Sequence, residues 1–98
     1  MVTKMPHFRS VDSRNAYATA YAKTLSCAGV DVRERDVATS IGTTHVVEAG
    51  DPSHPPLVLL HSFTFSSTVW VRNLAALSRE HYVVALDEPG DSNLSVLT

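Results

Sequence analysis

The chain has 98 residues, enough for one domain at most or a piece of a larger one. Its hydrophobic fraction is 44% and its charged fraction 18%, which fits a folded chain and excludes a disordered tail. The net charge is −2, so no basic excess exists to neutralise nucleic-acid phosphates, and no apolar run approaches the ~20 residues of a membrane span.

A single cysteine, Cys27, can form neither an intrachain disulfide nor a zinc site alone. The first thirty residues carry Lys4, Arg9, Arg14 and Lys23 against Asp12. Met1 to Ser10 has no apolar core of a secretory signal, and no targeting segment is expected. These features predict a cytoplasmic chain.

Arg14 to Ala28 is rich in Ala and free of Gly and Pro, which predicts a helix. Tyr17, Tyr21, Leu25 and Ala28 form its apolar stripe, with Ser10, Asp12 or Ser13 as N-cap and Gly29 beyond the last turn. Cys27, near the end of that stripe, reads as a buried structural thiol. Residues 1–29 are therefore an N-terminal helical segment.

Val32 to Gly50 alternates apolar and polar residues through Val37, Thr39 and Ile41, then His45, Val47 and Ala49. That pattern predicts two strands joined near Ser40-Ile41-Gly42, with a solvated edge over Arg33 to Asp36. Asp51 to Pro56 contains three prolines and must be a loop.

Leu57 to Leu60 and Tyr82 to Leu86 are unbroken apolar runs, read as strands covered on both faces. Between them Val69 to Glu80 places Trp70, Leu74 and Leu77 at helical spacing, with Ser66, Ser67 or Thr68 as N-cap. Strand, helical crossover and strand make a parallel βαβ unit. Ligands of such sheets bind beyond the carboxyl ends of the strands, here His61 to Ser67 and Asp87 to Ser95.

Several chemistries can be tested on these segments. The four glycines, Gly29, Gly42, Gly50 and Gly90, build neither a G-x-G-x-x-G nor a P-loop, so no nucleotide cofactor is expected. The five histidines, His7, His45, His54, His61 and His81, are scattered, and turn formation accounts for Asp87 and Asp91; no metal is expected. No two glycines bracket a serine as in G-x-S-x-G. A makeshift Ser66, His81, Asp87 triad has the wrong chain order, and its histidine precedes the strand instead of following it.

Residues 43–95 nevertheless resemble the amino-terminal part of an α/β-hydrolase, and are similar in particular to bacterial carboxylesterase-like members. A buried strand ends in His61-Ser62-Phe63, where that family has His-Gly and an apolar residue. A helix bearing Trp70 follows. The next strand runs into Asp87-Glu88-Pro89-Gly90 and Ser95, like the family's D-x-P-G-x-G-x-S turn. The likeness spans roughly Val37 to Ser95, and a leading helix like Arg14 to Ala28 is similar to one branch of these esterases.

The resemblance implies an α/β fold: a partial α/β-hydrolase sheet, with an edge hairpin, one parallel βαβ unit and a leading helix. Residues 30–98 would be the N-terminal portion of the hydrolase domain. It implies that Phe63 donates a backbone N–H to an oxyanion hole, and that Phe63 and Thr64 meet a small-molecule ester. His61, Asp87 and Gly90 would hold the loops, and no residue of this chain would be catalytic by its side chain.

Two departures stand out. Ser62 replaces a glycine, which would be strained if that position needs positive φ. Ser92 stands where the second glycine of the later turn is expected. The chain also stops at Thr98, before the nucleophile, the acid and the catalytic histidine, so a fragment is expected, inactive alone. The alternative is a non-catalytic module or dimer that self-associates through the strand at 57–60.

Overall fold

The computed structural model describes residues 8–90 and 93–97. Helix α1, Val11–Leu25, starts where Ser10 turns extended (φ −156°, ψ 168°) and its Oγ accepts the Ser13 N–H at 3.1 Å. Asp12 in the first turn and Lys23 in the last complement the helix dipole. The helix begins and ends three residues earlier than the apolar stripe predicts, because Ser10 is the capping serine. Gly29 takes the left-handed position at φ +78°.

Tyr21, Leu25 and Ala28 are buried and Tyr17 is half-buried against Phe8 and Tyr21. Cys27 is exposed, contrary to expectation. It lies past the end of α1, and only Ala28 of that turn points inward.

Strands β1, Val32–Thr39, and β2, Gly42–Ala49, form an antiparallel hairpin closed by Ser40 and Ile41, as the sequence predicts. Thr39 Oγ1 donates to the Gly42 carbonyl at 3.0 Å and accepts the Ile41 N–H at 3.3 Å, stapling the turn. Strand β1 is an exposed edge. Strand β2 is central, so His45 to Ala49 are all buried instead of alternating.

Strands β3, Pro56–Leu60, and β4, Tyr82–Leu86, pair in parallel, with Leu60 opposite Leu86. The sheet order is β1-β2-β4-β3. A two-residue strand β5, Val96–Leu97, pairs antiparallel with the start of β2 and is too short to be legible in the sequence. Gly42 admits it: a Cβ there would stand 1.9 Å from the Val96 carbonyl oxygen.

The crossover differs from the predicted helix over 69–80. It is a 3₁₀ turn, Ser67–Trp70, followed by a single-turn helix α2, Leu74–Leu77. The i→i+3 bonds from Val71 to Thr68 and from Asn73 to Trp70 tighten the chain, and Thr68, Val69 and Val71 are β-branched. Leu74 still anchors the unit in the core.

Pleating sends alternate residues to opposite faces. Val47, Ala49, Val83 and Ala85 meet Tyr21, Leu25, Leu74 and Leu94 in one core, with Leu59 against it. Val46, Val84, Leu86, Val58 and Leu60 belong to the opposite face. Val58 and Leu60 are each 56% exposed, so outermost β3 is covered on one face and not on both.

Candidate active site

Parallel pairing brings the carboxyl ends of β3 and β4 side by side, and the loops that follow them interlock. His61, buried, is the first residue after β3. Its Nε2 accepts the Glu88 N–H at 2.9 Å, so Nδ1 carries the proton and donates to the Ser62 carbonyl at 2.7 Å. Both ring nitrogens are committed to backbone groups of the two loops.

Residues 62–65 form a turn closed by the Phe65 N–H on the Ser62 carbonyl at 3.1 Å. Thr64, its third residue, has φ +70°. The strained position in this loop is therefore Thr64, and Ser62 replaces the family glycine without a left-handed backbone. Phe63 is the second residue of the turn, 82% exposed, and no acceptor for its N–H lies among the described residues.

Asp87, the first residue after β4, is fully buried. Its Oδ1 accepts the Tyr21 hydroxyl at 2.9 Å and the Ser67 N–H at 2.8 Å. Its Oδ2 accepts the Leu94 N–H at 3.1 Å, and its carbonyl accepts the Ser95 hydroxyl at 2.6 Å. The carboxylate thus joins α1, the start of the 3₁₀ turn and the segment at 93–95 through neutral donors. Burial, then the charge and hydrogen bond of Asp87, pushes the Tyr21 phenol far above its ordinary value.

Gly90 adopts φ +86°, which the turn after Pro89 requires. The Ser92 position, like Asp91, lies outside the described residues. Asn93 is fully buried; its side chain donates to the Glu88 carbonyl at 3.0 Å and accepts the Ser95 N–H at 3.0 Å. Ser95 Oγ also accepts the His45 N–H at 2.8 Å, extending the β2–β4 pairing. The sequence motif locates Ser95, but no local signal links Tyr21 or Ser67 to Asp87.

No serine–histidine pair forms among the described residues. Ser66 Oγ bonds Thr68 Oγ1, Ser67 is sealed from solvent, and His81 Nδ1 reaches only the Leu77 carbonyl at the opposite end of β4. The His45 ring nitrogens are taken by Asp36 and Glu34, at 2.6 and 2.8 Å, and pair with no serine. No group of three His, Cys, Asp or Glu side chains could hold a metal ion among the described residues. None of their helices is long and apolar enough to cross a membrane.

A mixed sheet with a parallel β3–β4 pair, a His-Ser-Phe loop beyond one strand and an Asp-x-Pro-Gly turn beyond the next places this chain in the α/β-hydrolase superfamily. Within it, the chain is similar to bacterial carboxylesterases. It is 34% identical to carboxylesterase YbfK of Bacillus subtilis over 96 residues, covering 98% of this chain and 32% of that protein. A second B. subtilis carboxylesterase, nap, is 39% identical over 85 residues, or 87% of this chain and 28% of its own length. The crystal structure of naproxen esterase from B. subtilis superposes with a TM-score of 0.84 at 36% identity, covering 93% and 32% of the two chains. No family model matches the sequence. The chain spans about a third of the length of these relatives.

Proposed function

We propose that this chain forms the oxyanion-loop portion of a carboxylesterase whose serine nucleophile, acid and histidine are supplied from outside these 98 residues. In the reaction a serine attacks the ester carbonyl, the oxygen becomes an oxyanion, and collapse expels the alcohol before water releases the acid. The Phe63 N–H is one donor to that oxyanion, and the residue after the nucleophile is the second. Phe63 and Thr64 line the ester's side of the loop. The substrate class is a small-molecule ester, in keeping with the names of the relatives.

One observation carries this reading. The Phe63 N–H is unclaimed by the described protein groups, on a loop whose two ends are tied to the carboxyl end of β4 by His61 and Ser67. A donor held in advance needs no reorganisation when charge develops. A single thiol also fits a reducing compartment such as the cytoplasm. The test replaces the matched region of YbfK with residues 8–97 of this chain and measures turnover of a short activated ester. Turnover supports the reading; a folded, inactive graft opposes it.

The exposure of Val58 and Leu60 on the outermost strand favours a second reading, self-association of the chain along β3. No charge or bulge within Pro56–Leu60 guards that edge, and main-chain pairing would cover it. Sedimentation at several concentrations tests this: concentration-dependent dimers support it, and a monomer throughout opposes it.

A further inference from the structure

We propose that Tyr21 of α1 is a positioning residue for the Phe63 loop, acting through the Asp87 carboxylate. The inference rests on the reading of Phe63 as an oxyanion donor, and adds the helix that sets where this donor stands. The loop is pinned at both ends to consecutive residues, Asp87 and Glu88. At its start His61 Nε2 takes the Glu88 N–H, and at its end the Ser67 N–H goes to Asp87 Oδ1.

The second anchor is only as fixed as the carboxylate that receives it. Oδ1 receives one other bond from the described residues, the Tyr21 hydroxyl at 2.9 Å, which approaches from a helix far away in sequence. Tyr21 is buried, and its ring is held edge-on by His45 at 5.3 Å and tilted by Tyr17 at 6.0 Å. A phenol carried on a 15-residue helix has few ways to move. Its bond to a buried anion is charge-assisted and directional, so it fixes the rotation of the carboxyl plane. The Ser67 N–H, and with it residues 62–66, follows that plane. The Tyr21 hydroxyl reaches no reacting atom itself.

The experiment uses the 98-residue chain and amide exchange by NMR, comparing it with Tyr21→Phe. Positioning predicts that exchange at Phe65 and Ser67 quickens by about tenfold or more while core amides of β2 and β4 stay within about twofold. The Phe63 amide resonance should shift as well. Unchanged loop exchange, or acceleration spread evenly over the sheet, would overturn the proposal. If the variant does not fold, the parent chain decides the matter. A slowly exchanging Tyr21 hydroxyl proton with a cross-relaxation peak to the Ser67 amide supports the arrangement, and absence of that proton overturns it. Neither readout depends on ester turnover, so an inactive YbfK graft would sink the esterase reading and leave this result standing.

Discussion

The Ser67 N–H donates to Asp87 Oδ1 at 2.8 Å, joining the far end of the loop after β3 to the first residue after β4, twenty residues on. The acceptor is a fully buried carboxylate, so the loop that ends at Ser67 is set by a charge-assisted bond instead of by apolar contact. Tyr21 and Leu94 complete the ring of donors, and helix, crossover and turn meet on one side chain.

Asp87→Asn keeps the volume but puts an amide N–H where every neighbour is a donor. One donor loses its acceptor in a site closed to water, and the remaining bonds lose their charge. Urea unfolding should show a loss of about 3 kcal/mol with an unchanged slope. A loss under about 1 kcal/mol would mean the carboxylate is not the junction described.

Stability should also fall in alkali through Tyr21. The folded state holds the phenol protonated by burial beside Asp87, whereas the unfolded chain releases that proton near pH 10. Folding stability is therefore intact below that pH and falls by up to about 1.4 kcal/mol per further pH unit. Tyrosinate absorbance followed with circular dichroism should show one of the three tyrosines ionising only as the chain unfolds. In Tyr21→Phe that delayed step should vanish.

Two glycines separate backbone strain from collision. At Gly29, φ is +78° and a Cβ would meet nothing within 4 Å, so Gly29→Ala should cost about 1 kcal/mol. At Gly42 the Cβ would stand 1.9 Å from the Val96 carbonyl, and β5 must leave β2 to make room. Thermal unfolding of Gly42→Ala should report a loss larger by about 1–3 kcal/mol, with new exchange at Val96 and Leu97.

If β3 is a self-association edge, a charge in its middle should prevent it. Val58→Lys places an ammonium on the exposed face, next to Leu60, at little cost to the folded chain. Sedimentation should then give a monomer at concentrations where the parent dimerises.

Much of the architecture was legible because its signals are local. The hairpin turn at 40–42, the apolar runs of β3 and β4, and the glycine after α1 each rest on a few adjacent residues. The crossover over 69–80 misled: Trp70, Leu74 and Leu77 keep helical spacing, yet β-branched residues and i→i+3 bonding leave one α-turn. The unbroken apolar run of β3 predicts burial on both faces, but that burial needs a layer packed over Val58 and Leu60, which adjacent residues cannot specify. The motif residues located the two loops. The Tyr21–Asp87 bond spans 66 residues and has no local trace, and the positive φ fell on Thr64, not on the serine that replaces a glycine.

Proline at position 63 removes the backbone N–H proposed to meet the oxyanion. Phe63 is the second residue of a turn whose third has φ +70°, a position that proline favours, so the loop can keep its course. In the YbfK graft, Phe63→Pro should lower kcat for a short activated ester by about 10²–10³ while KM changes little. Turnover left intact by this substitution would contradict the account.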